Sequence, residues 1–436
     1  LRPQRDRTLR LAFVASAAFL ALIYGLAAGI NGWFPAGLVA DAMRGGADLA
    51  SRLGISDAGR KAHWFLRDVP TPAPPAFHNT PGSWQGVNLV TQIEDQGGLS
   101  IQVLSMDGAC LHRWDIDWFE LWPDAPHVPP RFLPQERPGT HVHGAVLLEN
   151  GDVVFNFEHL GLVRLDRSGE VVWRLPYQTH HSIIREGSDH LFVCGQREHT
   201  APSPSFPNLV APFAEDTILL VTTDGKIERE WSVPELLRRG GYQGLLHLGT
   251  TDNFTTRIEG DVTHLNHVEP FPAGMKEGVF RSGDVLVSLR NVNTLFVFDR
   301  ETGALRFVSA GQFVRQHDPH FVDGDTISVF DNNNIGPEEF GPQSRIALLH
   351  ARDRSVETVF AGSPDHPFFS PILGRHQWLP NGNLLITDAC AGRAIELDRR
   401  GRSVWWYIHY VDADTVGVVE QVLRLPLNAA QAFHRG

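Results

Sequence analysis

The chain runs to 436 residues with 42% hydrophobic, 20% charged and 10% aromatic content, a globular balance that excludes a disordered or collagen-like polymer. Its formal charge of -12, with no basic stripe beyond the N-terminus, excludes a nucleic-acid partner, because phosphate recognition draws on clustered Lys and Arg. Cys110, Cys194 and Cys390 form no CxxC pair, which excludes a zinc ribbon and a dithiol redox motif and points to buried free thiols.

In chain order, residues 1–10 carry Arg2, Arg5, Arg7 and Arg10 against Asp6, a basic tail of net +3. Residues 11–31 then hold no charge, and about 20 such residues match the hydrocarbon thickness of a bilayer, which predicts a single uncleaved transmembrane helix. The positive-inside rule puts the tail in the cytoplasm and everything beyond the helix outside it, with a charge of -15 once +3 is taken from -12. Gly25 and Gly29 form a GxxxG at the outer end, a face suited to a transmembrane protein partner. Residues 32–83 are expected to form an amphipathic, interfacial segment followed by a proline-rich spacer, VPTPAPPAFHNTPG. The folded domain is expected over 84–436.

Within that domain short β-branched runs alternate with Asn-Gly and Asp-Gly turns, the pattern of consecutive antiparallel hairpins. LLENGDVVFNFEHLGLVRLDRSGEVVW (Leu147 to Trp173) superposes on WLPNGNLLITDACAGRAIELDRRGRSVWW (Trp378 to Trp406), each giving four strands with an Asp-Arg turn before the last. Four strands per unit is a propeller blade. Weaker copies begin near Arg185, Ser282 and Val322, and a sixth blade comes from Gly86 to Ile116, completed by the C-terminal VVEQVLRLP as the ring closes. The predicted fold is all-β, a six-bladed β-propeller preceded by the N-terminal helix.

Histidines recur just before or within the first strand of successive blades: His141 and His143, His180 and His181, His264 and His267, His317 and His320, and His376. First strands line the central channel of a propeller, so these side chains are expected to converge at one mouth. Such a cluster suits either a metal site or anion-handling catalysis. His141 and His143 share one face of an extended strand, a ligand-like arrangement.

THLNHVEP followed by SLRN, QHDPHF followed by DTISVFDN, and the WLPNGNLLIT…ELDRRGRSVWWY unit together resemble the bacterial arylsulfotransferase family of six-bladed propellers, from about His141 to Tyr407. The resemblance implies a nucleotide-independent transfer of a sulfuryl group from an aryl sulfate to a phenol, with the QH histidine, His317, as the transiently sulfurylated nucleophile. It further implies that His264, Asn266 and Arg290 complete the sulfate pocket and that His181 serves the phenol oxygen. His180, His320, His376 and His143 are expected around the substrate, with neither cofactor nor metal required. A bacterial inner-membrane location with a periplasmic propeller follows for such a protein. Soluble members of the family carry an N-terminal β-domain and two neighbouring cysteines near the nucleophile; this chain has an apolar segment and no such pair.

Two other readings fit the same residues. One is a silent propeller acting as an accessory subunit of a membrane complex. The other is a metalloprotein that binds copper or zinc through His141, His143, His180 or His181. Asp331 to Asn334 (DNNN) is expected to form a strand-ending Asx turn rather than a calcium loop.

Overall fold

A computed structural model describes residues 13, 14, 16–25, 27, 28, 66–69, 73–94, 98–248, 258–336, 343–363 and 367–433. The chain divides into two compact units, Leu1–Leu66 and Arg67–Gly436. In the first, residues 13, 14, 16–25, 27 and 28 are helical. Among the described residues no helix is long and apolar enough to cross a membrane, so the predicted span over 11–31 is met only by this helical stretch. The basic tail and the amphipathic segment up to residue 65 lie outside the described residues.

The second unit is the six-bladed propeller. Blade one holds Val87–Ile93, Leu99–Leu104 and Cys110–Ile116, and blade two holds Val142–Leu147, Val153–Phe157, Gly161–Leu165 and Val171–Leu175. Blade three contains Gln178–Glu186, His190–His199, Leu209–Thr222 and Ile227–Ser232, with Ile258–Asp261 added in parallel to the third strand. Blade four is Leu265–Pro270, Asp284–Leu289, Thr294–Asp299 and Leu305–Ala310. Blade five is His317–Asp323, Thr326–Asp331, Arg345–His350 and Val356–Ala361. Blade six runs through Arg375–Trp378, Leu384–Asp388, Arg393–Leu397 and Ser403–Ile408.

The C-terminal strand Val419–Leu425 pairs antiparallel with Val87–Ile93 and becomes the innermost strand of blade one, as the VVEQVLRLP segment predicts. That pairing joins the two ends of the domain. A buried ion pair reinforces it: Arg424 Nη1 lies 2.9 Å from Glu396 Oε2, both side chains fully buried, and Arg424 Nε donates to Asn88 Oδ1 at 2.6 Å. Phe77–Asn79, which the proline content assigns to a spacer, pairs with Ser403–Ile408 as an outer edge strand of blade six. An edge strand needs only one row of ladder bonds, so the surrounding prolines are tolerated there.

The repeat is written into turn chemistry. Asp166 Oδ1 accepts from the Ser168 and Glu170 amides, Asp398 Oδ1 from Arg400 and Arg402, and Asp299 Oδ1 from Glu301 and Thr302, the same Asx turn between the last two strands of three blades. Apolar clusters fill the spaces between adjacent blades, for example Phe192, Trp231, Val287 and Phe298 between three and four. Second strands such as Asp284–Leu289 are buried along their length, whereas the outermost strands such as Val356–Ala361 are largely exposed. The channel-side strands therefore have fixed positions from which to aim polar groups inward. Cys194 and Cys390 are buried free thiols, while Cys110, also free, is exposed and departs from the expectation.

Candidate active site

The inner strands share one irregularity. In blades two to five and in the closing strand the register slips at the channel mouth, and the slipped segments contain His143, His181, Asn266, Asp318 and Glu420, which have no Cα partner across the ladder. A bulge re-aims the extra residue away from the alternation of the strand. All five line one narrow cavity of about 20 Å³, together with His317, Leu373, Gly374 and Arg375. A wider cleft bordered by His112, Asp166, Arg167 and Phe433 contains none of the predicted site residues.

Backbone strain concentrates at the same place. His159, His181, His264, Arg315 and Asp318 all adopt left-handed φ between 48° and 60°. Such conformations cost about 1–3 kcal/mol each in residues with a Cβ, and they persist where the surrounding fold over-determines them.

His317 is held from behind. Its Nδ1 lies 2.7 Å from Asn332 Oδ1 and 3.0 Å from the Arg315 carbonyl oxygen. Asn332 in turn donates through Nδ2 to the carbonyls of Ser370 at 2.8 Å and Leu373 at 2.7 Å, so its amide orientation is set and its Oδ1 must accept. Both neighbours of Nδ1 are acceptors, which makes Nδ1 the protonated nitrogen and leaves the lone pair on Nε2. That Nε2 is buried without a hydrogen-bond partner among the described residues. Burial, followed by the nearby Arg290 guanidinium, pushes the His317 pKa down to about 3, so the ring is neutral at physiological pH.

Two guanidinium groups sit beside it. Arg290 Nε and Arg315 Nη1 both donate to Asn291 Oδ1, at 3.3 and 2.8 Å. Neither arginine forms an ion pair with a carboxylate among the described residues. Burial and then Arg315 push the Arg290 pKa down to about 10, against the opposing pull of the Asp261, Glu158 and Asp216 carboxylates. His264 pairs through Nδ1 with the Asp261 carboxylate, and its Nε2 is buried without a partner. The His264 and His181 rings lie 5.0 Å apart, and those of His181 and His317 6.2 Å apart. Asn266 donates through Nδ2 to the Gln316 carbonyl at 2.7 Å, which ties it to the backbone just before His317 and leaves Oδ1 without a partner.

The remaining predicted residues divide into two groups. His143 lines the cavity, its ring tilted against that of His181 with the centroids 3.8 Å apart. His180 stands behind, its Nδ1 2.8 Å from His181 Nδ1 and its ring 4.4 Å from His159. Burial holds His143, His180 and His181 well below the usual histidine range, so all three are neutral. His320 and His376 do not border the cavity; with His267 they surround Asp318 further along the strands. His320 contacts Asp318 Oδ2 at 3.0 Å and Glu269 Oε1 at 3.1 Å. Against the effect of burial, those carboxylates hold its pKa well above the ordinary value. His376 bonds Ser328 Oγ through Nε2 at 2.8 Å. This is a buried ionic brace across blades four to six rather than a substrate surface.

Sequence reasoning missed Arg315, Asn332, Asp261 and Glu420. Arg315 immediately precedes the QH motif, Asn332 sits inside DNNN, and Glu420 is a lone carboxylate in an otherwise apolar closing strand; these were the available signals. The DNNN turn does form, with Asp331 Oδ1 accepting from the amides of Val314 and Asn333.

Taken together, a neutral imidazole with a fixed lone pair lies near a buried guanidinium that makes no direct ion pair among the described residues, a constellation suited to covalent transfer of an anionic group. The profile of the arylsulfotransferase (ASST) family matches residues 144–409, more than half of the chain. Among solved structures, a protein of unknown function from Bacteroides caccae is 13% identical with a TM-score of 0.48, over 77% of this chain and 98% of that one. Virginiamycin B lyase from Staphylococcus aureus, solved as a catalytically inactive form with quinupristin, is 11% identical with a TM-score of 0.38, over 82% and 99%. BamB from Moraxella catarrhalis is 11% identical with a TM-score of 0.34, over 82% and 100%. No curated protein matches the chain.

Proposed function

This chain belongs to the arylsulfotransferase (ASST) family, and on that footing we propose that it transfers a sulfuryl group from an aryl sulfate to a phenolic acceptor through a sulfohistidine at His317. The observation that carries the proposal is the unpartnered, buried Nε2 of His317, held in one tautomer by Asn332, with two guanidiniums nearby that make no direct ion pair among the described residues.

In the first half-reaction Nε2 attacks sulfur, the S–N bond forms and the bond to the aryl oxygen breaks. Arg290 and Arg315 offset the negative charge on the sulfuryl oxygens, and the forked geometry of a guanidinium suits paired oxygens. The departing phenolate takes the Nε2 proton of His264, which enters the step as an imidazolium paired with the Asp261 carboxylate and leaves it neutral, while His181 beside it hydrogen-bonds the aryl oxygen without giving up its proton. In the second half-reaction the acceptor phenol returns that proton to the same imidazole, its oxygen attacks sulfur, and the S–N bond breaks to regenerate His317.

We further propose that residues 11–31 anchor the protein in the bacterial inner membrane with the propeller in the periplasm. The run of uncharged residues supports it, as does the exposure of Phe13, Val14, Phe19, Leu20, Leu22 and Ile23 on the helical part. Fractionation tests this separately: carbonate-washed membranes retain the full chain and release a chain lacking residues 1–31, and a fully soluble full chain would remove the anchor.

The enzymatic reading is tested by incubating the protein with 4-nitrophenyl sulfate and a phenol, then searching peptides by mass spectrometry for a sulfo group on His317. His317→Asn is expected to abolish both turnover and the adduct. Turnover that survives this substitution would sink the nucleophile, and wild-type inactivity across a broad panel of aryl sulfates would favour the accessory-subunit reading.

A further inference from the structure

On the wall of the same cavity, His143 on blade two and Glu420 on the closing strand meet His141, which stands just behind them. One ligand-type atom from each of the three lies within 4.8 Å of the others, and all three side chains are buried. His141 Nε2 is 3.5 Å from Glu420 Oε1. Donors on a tetrahedral zinc, with bonds of about 2.0–2.1 Å, stand roughly 3.4 Å from one another, so this pair is already at ligand spacing. Both ring nitrogens of His143 and Oε1 of Glu420 are buried and meet no hydrogen-bond partner among the described residues. Buried polar atoms are nearly always satisfied, and each exception calls for a ligand or an explanation.

Local architecture fixes the arrangement. His141 and His143 are two apart on an extended chain and so face the same side, and the slip between Val142 and Gly144 leaves His143 unpaired. Glu420 is the matching unpaired residue of its own strand. Next to it, Gln421 Nε2 donates to the Ala145 carbonyl at 2.8 Å, which locks the closing strand to blade two and sets the distance between Glu420 and the histidines. Behind His141, Glu158 Oε2 lies 3.6 Å from Nδ1, the position of the outer carboxylate that commonly backs a metal-bound imidazole.

Two other groupings of this kind occur among the described residues, His267 with Glu269 and His320, and Asp318 with His320 and His376. In both, His320 already spends its two nitrogens on carboxylates, and His376 spends Nε2 on Ser328. His267 has no hydrogen-bond partner among the described residues, yet with His320 committed neither grouping offers three free donors.

From this geometry we infer that His141, His143 and Glu420 form a binding site for a divalent transition metal of the zinc class, with three protein ligands and one coordination position open to the cavity. Two imidazoles and one carboxylate are a donor set suited to zinc, and an open fourth position separates reactive from purely structural sites. Resting on the transferase reading, the open position faces the space available to the acceptor, where a metal-bound oxygen would ionise near neutral pH. The site itself does not depend on that reading.

The test uses the full chain without an affinity tag, stripped with a chelator and reloaded with Zn(II) or Co(II) alone. Elemental analysis after dialysis is expected to find one equivalent of zinc per chain, and the Co(II) form to show the visible absorption of a four- or five-coordinate ion. Glu420→Gln and His143→Asn are expected to lose the metal, Glu158→Gln to weaken it about 10- to 100-fold, and His376→Asn to keep it. Circular dichroism of every variant separates loss of a ligand from loss of the fold. A wild-type protein that retains no zinc, or folded Glu420→Gln and His143→Asn variants that retain a full equivalent, would overturn the inference. Because metal content is read without substrate, its outcome is independent of whether His317 is sulfurylated.

Discussion

Replacing Asn332 with alanine removes the side chain that pins His317. In the resting enzyme the lost bond, Nδ1 to Oδ1 at 2.7 Å, joins two neutral groups and is worth about 0.5–1.5 kcal/mol. As Nε2 bonds to sulfur the ring becomes a cationic N-sulfoimidazolium, and a hydrogen bond from a charged donor is worth about 1.5–3 kcal/mol. Only the difference, about 1–1.5 kcal/mol, slows the chemical step, which corresponds to roughly 5- to 13-fold. The effect stops there because the Arg315 carbonyl, 3.0 Å from Nδ1, still selects the same tautomer. Stability falls as well, since the carbonyls of Ser370 and Leu373 lose their donor, at about 1–3 kcal/mol each. Rapid-quench measurement of the sulfurylated enzyme gives the rate and urea unfolding gives the stability. Asn332→Asp keeps an acceptor toward the ring while losing the donors, so it should recover the rate and remain unstable. A folded Asn332→Ala protein that sulfurylates at the wild-type rate would refute the positioning role.

Arg290→Met should lower kcat/KM for aryl sulfate by about 10- to 150-fold, the value of a hydrogen bond to a charged group, while leaving thermal stability unchanged or raised, because burial and repulsion from Arg315 outweigh the pull of the nearby carboxylates on this cation; a matching loss of stability would mark it as structural. Inorganic sulfate should raise the wild-type melting temperature in a concentration-dependent way and raise that of the Arg290→Met variant less, as scanning calorimetry can check. Acid should destabilise the propeller early. His180, His181 and His267 are held well below the usual range and His317 at about 3, so below pH ~6.5 the unfolded chain binds more protons than the native one, and stability is lost as pH falls, at up to about 1.4 kcal/mol per unit for each group. His320, whose pKa is raised, acts with the opposite sign: its contribution is full below pH ~6.5 and is lost as pH rises through its elevated value. Urea midpoints at pH 7.5 and 5.5 test the balance, and equal midpoints would contradict it. Arg424→Met strands the buried Glu396 carboxylate, which should cost about 3–5 kcal/mol, or roughly 4–6 °C in melting temperature for a domain of this size, and Arg424→Met with Glu396→Leu should recover most of it.

The blade count, the Asx turns at Asp166, Asp299 and Asp398, and the return of the C-terminal strand to blade one were all visible in the sequence, because hairpin chemistry is local and a propeller repeats it. The placement of histidines at the channel mouth was legible for the same reason: equivalent positions in a repeat converge on the axis. What the pattern hid was depth. His320 and His376 share strands with site residues yet fall beyond the cavity, since a strand advances about 3.3 Å per residue and the slips at His180 and His317 change which side chains point inward.

Composition and periodicity by themselves determined an acidic propeller with an apolar N-terminal segment and a set of converging imidazoles. Only the tertiary structure decided what those imidazoles are. His317 is a neutral imidazole with its lone pair on Nε2 because Asn332, just past the second strand of the same blade, accepts a hydrogen bond from its Nδ1–H, and Arg290 is a buried cation that makes no direct ion pair among the described residues. Glu420 joined His141 and His143 because ring closure carries the far end of the chain to blade two. Hydrogen-bond partners, burial and charge balance are properties of neighbours in space, and in a ring those neighbours come from residues hundreds of positions apart.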